Sequence, residues 1–153
     1  MADLQTLHDR LEIRELIDRY TIGITTRDWH IVQGCYHENA RWQASVGMDF
    51  QGREAILGGV RAIVEGSAFQ LQMQHAILIE NLTAESATAR SVLQEVIQRA
   101  DGTGMDVLGV YNDRIGKFEG CWLFTERYFH AHYISTQPMP GNILVDYGKL
   151  PKV

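Results

Sequence analysis

Several things are scarce in this 153-residue chain, and each scarcity excludes a class of protein. Cysteine occurs twice, as Cys35 and Cys121, too few for a disulfide framework and wrongly spaced for a zinc site. The three prolines, Pro138, Pro140 and Pro151, all follow Ser135, so no earlier element is interrupted by one. Lys and Arg number 14 against 19 Asp and Glu, a net charge of −5 without a basic cluster. That balance argues against a general nucleic-acid binder. No stretch approaches the roughly 18–20 uncharged apolar residues of a membrane span. The opening Met1-Ala2-Asp3-Leu4 lacks the basic and apolar regions of a signal peptide. No glycine-rich phosphate loop or serine-centred elbow is present, and Gly102-Thr103-Gly104 reads as a turn. What is left is a reduced, soluble, cytoplasmic chain, 45% apolar and 22% charged. At this length one domain spanning residues 1–153 buries roughly 70% of its unfolded surface.

Helical periodicity comes first. Leu4, Leu7, Leu11, Leu16, Ile17, Tyr20 and Ile24 recur mostly at steps of three or four between Asp3 and about Arg27, predicting an amphipathic helix. Asp28 reads as the cap of a shorter helix whose Trp29, Val32 and Tyr36 face the core. A short strand is predicted over residues 41–46, turn material from Gly47 to Gly52, and a third helix from Arg53 to Glu65. After Gly66 the period falls to two. Phe69, Leu71, Met73, His75, Ile77 and Ile79 share one parity, and Gln70, Gln72 and Gln74 take the other. Further strands are predicted over about 88–99, 105–114 and 121–134, joined by short turns, with an irregular tail at 135–153. Helices followed by hairpin-linked strands imply an α+β domain with a curved sheet, its core spanning about residues 3–134. On the last strand Leu123, Thr125, Arg127, Phe129 and Tyr133 are expected on one face, and Trp122, Phe124, Glu126, Tyr128, His130 and His132 on the other. Two aromatic faces suggest one cavity wall and one homo-oligomer contact.

His75 stands out because it interrupts the apolar parity, where an imidazole is either a satisfied core residue or a working one. Arg127 shares the parity of Phe129, and a buried guanidinium needs an anion. That anion is a ligand or a structural partner such as Glu95 or Asp113. Tyr20 lies on the apolar stripe of the first helix, where its hydroxyl needs a partner. His130 and His132 would supply only two metal ligands, with no third group at a supporting spacing, so no metal is expected. Cys35 lacks a basic neighbour to activate it, and His37-Glu38 reads as a solvated loop.

The segments Ile13-Arg14-Glu15-Leu16-Ile17-Asp18-Arg19-Tyr20, Arg27-Asp28-Trp29 and Asn39-Ala40-Arg41-Trp42 together resemble the opening of SnoaL-like domains. Gln51-Gly52-Arg53-Glu54-Ala55-Ile56, His75, Ala87-Thr88-Ala89-Arg90 and Trp122-Leu123-Phe124-Thr125-Glu126-Arg127 continue the resemblance over residues 3–134. It implies the nuclear transport factor 2-like, cystatin-like fold: a cone-shaped curved antiparallel or mixed sheet with three N-terminal helices on its concave face. Enzymatic relatives include scytalone dehydratase, bile-acid dehydratase and hexachlorocyclohexane dehydrochlorinase. The resemblance implies a cofactor-free lyase or isomerase acting on a small hydrophobic organic ligand, in a dimer or trimer. By the same resemblance His75 falls at the general base, Arg127 at a leaving-group arginine, and Tyr20 and Trp42 at pocket-wall positions. Ile24, Met73, Glu95 and Phe129 complete the expected pocket.

One departure bears on catalysis. Five residues after Tyr20, the dehydratases and the dehydrochlorinase carry an aspartate that orients the histidine, and here the residue is Thr25. A threonine accepts a hydrogen bond but brings no charge to stabilise an imidazolium. Glu95, sharing parity with Leu93 and Ile97, is the best substitute carboxylate. A non-catalytic small-molecule-binding or accessory protein is the competing expectation.

Overall fold

In the computed structural model, which describes residues 3–151, the chain opens with α1 (Leu4–Thr26). The Asp3 carboxylate accepts from the Thr6 N–H, and Arg27 ends the helix in the left-handed region. The buried stripe runs through Asp9, Ile13, Leu16, Ile17, Tyr20 and Ile24. Leu4, Leu7 and Leu11 do not belong to it and are 86%, 48% and 64% exposed. At 3.6 residues per turn Leu11 points away from Ile13, so the approximate spacing overextended the stripe. The short α2 (Trp29–Gly34) is capped by Asp28, which accepts from the Ile31 N–H as expected.

Six strands follow: β1 (Tyr36–Ala44), β2 (Met48–Gln51), β3 (Phe69–Glu80), β4 (Ser86–Gln98), β5 (Thr103–Phe118) and β6 (Cys121–Pro138). Helix α3 (Arg53–Glu65) lies between β2 and β3 and buries Ile56, Val60 and Val64. The sheet is open and mixed, ordered β2-β1-β6-β5-β4-β3, with β1 parallel to β6 and the other neighbours antiparallel. The α+β class therefore holds. Two local expectations do not. Tyr36 belongs to β1 rather than to the short helix, and the segment Gly47 to Gly52 contains β2, too short to show a period. The β5–β6 link is a two-residue turn, Glu119-Gly120, with positive φ at both positions, which matches the twist of the strands it joins.

Three irregularities decide which residues face inward. The pairing skips His75 in β3, and Thr125 and His132 in β6. One extra residue inverts the alternation beyond it. On β6 this places Trp122, Phe124, Arg127 and Phe129 together among the buried residues, correcting the expectation of opposite faces. On β3, Ile79 is buried below the bulge, whereas above it the buried positions are Gln70 and Gln72. The other face of the sheet is exposed and partly apolar, with Val92, Leu108, Tyr128 and Tyr133 at its surface. Among the described residues no helix is long and apolar enough to cross a membrane.

Candidate functional site

A cavity of about 150 Å³ lies between α1, α3 and the inner face of the sheet. Tyr20 and Ile24 enter it from α1, and Val60 and Val64 from α3. The sheet supplies Trp42, Ile97, Tyr111 and Phe129, together with the polar trio Gln70, Gln72 and Glu95. Among the described residues Glu95 is the single ionisable carboxylate on this wall, and no Lys, Arg or His lines it.

The trio is a cross-strand construction. Glu95 on β4 stands directly opposite Gln72 on β3, with Gln70 two residues along the same face. Both amides donate to one carboxylate oxygen: Gln70 Nε2 to Glu95 Oε1 at 2.8 Å, and Gln72 Nε2 to the same atom by a shorter bond. Burial pushes the Glu95 carboxyl above the usual carboxylate range, and the two amide donors only partly oppose it. Among the described residues Glu95 Oε2 accepts no hydrogen bond, and the amide oxygens of Gln70 and Gln72 have no partner. Behind them, Trp42 Nε1 donates to the Tyr111 hydroxyl at 3.2 Å. Burial also pushes the Tyr20 and Tyr111 phenols well above their ordinary values.

Of the residues expected here, Tyr20, Ile24, Trp42, Glu95 and Phe129 line the cavity. Met73 and His75 do not. Their shared parity is the outward one above the bulge, so His75 is exposed and its Nε2 lies 3.1 Å from Gln94 Oε1. The inward placement of both residues is corrected accordingly: the apolar period was set by Ile77 and Ile79 and carried across an insertion that reverses it. Thr25 stands at the edge of the site, its Oγ1 accepting from the Gln72 N–H at 3.1 Å, and thereby anchors the strand that carries the trio.

Arg127 is buried and paired with Asp113, and among the described residues its Nη1 has no hydrogen-bond partner. Its Nε and Nη2 donate to the two Asp113 oxygens at 2.8 and 3.1 Å, and neither side chain is exposed. The guanidinium lies 3.9 to 4.3 Å from the ring centroids of Tyr20, Tyr111 and Phe124, behind the aromatic wall rather than on it. Burial works against its charge, but the Asp113 carboxylate together with Tyr36 and Tyr111 outweighs that and holds it protonated. Burial also pushes the Cys35 thiol up to about 11, which suits a structural thiol. His130 and His132 are exposed on the outer face with ring centroids 5.2 Å apart. Among the described residues, the group of three potential metal ligands is His8, Asp9 and Glu12, and Asp9 already accepts from Lys117 and Trp122.

Sequence reasoning missed Gln70, Gln72 and Tyr111. The alternating Gln70-x-Gln72 pair was its own signal, but alternation alone does not say which parity is inside.

Residues 5–128 match the SnoaL-like domain. The chain belongs to that family. The comparison with curated proteins returns no match. Among solved structures, this SnoaL-like chain is similar to hexachlorocyclohexane dehydrochlorinase LinA-type3 from Novosphingobium barchaimii. The two share 19% identity with a TM-score of 0.81, covering 95% of this chain and 99% of that one. A scytalone dehydratase-like protein from Novosphingobium aromaticivorans gives 16% identity and a TM-score of 0.79, over 91% and 98% of the two chains. A protein of unknown function from Mycobacterium tuberculosis gives 25% identity and 0.73, over 83% and 73%. At 19% and 16% identity, the TM-scores of the two enzyme-like neighbours show a common fold alone, and chemistry must be argued from the site itself.

Proposed function

We propose that this SnoaL-like domain is a cofactor-free lyase or isomerase for a small hydrophobic molecule, with Glu95 as the group that moves the proton. The observation that carries the reading is Glu95 itself: a carboxyl raised by burial, fixed through Oε1, with Oε2 unengaged beside aromatic walls. A carboxylate with a raised pKa is a stronger base at neutral pH, and once protonated it is a competent acid. In this scheme Oε2 takes a proton from carbon and returns it to a neighbouring carbon or a departing group. Tyr20 and Tyr111 supply hydroxyls for a developing oxyanion. Arg127 holds the aromatic wall in place, and His75 takes no part. A cavity of about 150 Å³ suits one ring, comparable to the benzene-sized voids of engineered cores.

The test assays dehydration, dehydrohalogenation and double-bond isomerisation on a panel of six-membered-ring substrates. Glu95→Gln keeps the shape of the side chain and removes the proton-transfer group, so turnover should fall by roughly 10²-fold or more while the fold persists. Full activity in Glu95→Gln, or loss of activity in His75→Ala, defeats the assignment.

A binding protein without turnover is the second reading, and Thr25 favours it. Its hydroxyl is engaged with the Gln72 backbone and orients no base. Ligand retention with no turnover across the panel would select it. The exposed apolar outer face, with Val92, Leu108 and Tyr133, is the surface through which we propose that copies of the chain pair.

A further inference from the structure

The polar inventory of the cavity is one-sided. Glu95 brings a carboxylate, yet no Lys, Arg or His lines the same wall. The buried guanidinium of Arg127 is paired with Asp113 and lies behind the rings. Gln70 and Gln72, only 4% and 8% exposed, each donate one amide N–H to Glu95 Oε1. Their amide oxygens are left without partners among the described residues, as is Glu95 Oε2. Glu95 Oε2 is therefore an acceptor without a hydrogen bond beside the cavity, an arrangement that a donating ligand completes. The remaining walls are the rings of Tyr20, Trp42, Tyr111 and Phe129.

We infer that the cavity recognises a small organic cation, a protonated amine on a ring-sized apolar body, with Glu95 as its counterion. This rests on the reading of the cavity as the ligand site and names the class of molecule it takes. An ammonium brings both a positive charge and a donor to Glu95 Oε2, whereas a neutral alcohol brings a donor alone. Its charge is also attracted to aromatic faces, which a neutral molecule of the same shape cannot exploit. A carboxylate ligand meets the opposite fate, because it brings like charge to Glu95 with no cation on the wall to offset it. The same placement serves proton transfer: a neighbouring ammonium withdraws electron density from adjacent C–H bonds, within reach of Oε2.

The test is isothermal titration of the intact protein with benzylamine, benzyl alcohol and benzoate, three probes of nearly one shape and three charges. Near neutral pH, benzylamine should bind at least ~10-fold tighter than benzyl alcohol, the margin expected of a charge-assisted contact, with benzoate weakest. Glu95→Gln should abolish that preference and leave benzyl alcohol unchanged, with circular dichroism reporting an intact fold. Benzylamine affinity should also rise as pH is raised through Glu95 ionisation. The groups around Glu95 do not compete for that assignment. Gln70 and Gln72 on β3 do not titrate, Tyr20 on α1 and Tyr111 on β5 are held neutral by burial, and α3 contributes only apolar side chains to the wall. Equal affinity for the three probes, tightest binding of benzoate, no benzylamine binding up to ~10 mM, or a preference that survives Glu95→Gln overturns the inference. Glu95-dependent turnover of a neutral substrate, without benzylamine binding, would sink this inference and leave the proton-transfer reading standing. Benzylamine binding without turnover would do the reverse.

Discussion

Two acids on the inner face of one sheet, Asp113 fully buried and Glu95 partly so, have opposite fates. Asp113 on β5 is answered across the strand pair by Arg127 on β6, oxygen for nitrogen, with no exposure on either side. Glu95 on β4 is answered only by two neutral amides on β3 and keeps an oxygen free. A complete pairing of both carboxylate oxygens holds the fold in one arrangement and leaves that acid nothing to offer a ligand. An incomplete one costs stability and leaves a chemical capacity open. The contrast assigns architecture to one acid and function to the other, and each can be broken separately.

The largest effect is expected at the completed pair. Asp113→Ala strands the Arg127 guanidinium in the core and should cost about 3–5 kcal/mol, read from urea unfolding. Replacing both residues by apolar ones of similar volume should recover much of that loss, because a buried pair contributes little net stability against good packing. If Asp113→Ala unfolds no more easily than the natural chain, the pair is not the structural element described.

Glu95 should behave in the opposite sense. Its folded-state pKa is raised above the unfolded value, so the native state holds the proton more tightly. Stability is then unaffected below the ordinary carboxylate range. It declines as pH rises from there through the raised value, and stays reduced above it. Glu95→Gln should therefore be more stable than the natural protein at neutral pH and equal to it in acid, in parallel thermal melts. A gain in stability with a loss of activity is the expected signature of a strained functional group. Equal melting at both pH values would mean that the carboxylate is not held at a cost.

Much of this was legible in the chain and some was not, for identifiable reasons. The helix α1, its Asp3 neighbour, the Asp28 cap and the hairpin-linked later strands follow from periodicity and capping chemistry. Glu95 shares its inward face with Leu93 and Ile97 because β4 pairs with both neighbours without interruption across them. Gln70 and Gln72 went unrecognised because polar residues alternating with apolar ones resemble a solvated face, and burial is fixed only by what packs above the strand. The Arg127–Asp113 pair was one of the partnerships the sequence suggested, whereas the sharing of its face with Trp122 and Phe124 depends on the bulge at Thr125, which no local pattern announces.

His75 gives the smallest expected effect and the sharpest check on that bulge reasoning. Local composition makes an imidazole between Gln74 and Ala76, just before the Ile77-x-Ile79 alternation, look like an inward residue. The β3–β4 pairing skips it, so the parity that is inward at Ile77 and Ile79 is outward at Met73, and the ring reaches the exposed Gln94 instead of the cavity. An exposed side chain with one polar contact carries little energy, so His75→Ala should change stability by less than ~0.5 kcal/mol. Turnover and probe binding should be unaltered, because the ring faces away from Glu95. A second change sharpens the comparison. Deleting His75 removes the extra residue and straightens β3, which would rotate either Gln70 and Gln72 or Ile77 and Ile79 to the outer face. That deletion should abolish ligand binding and cost far more stability than the point substitution. A harmless deletion beside a damaging His75→Ala would return the histidine to the site.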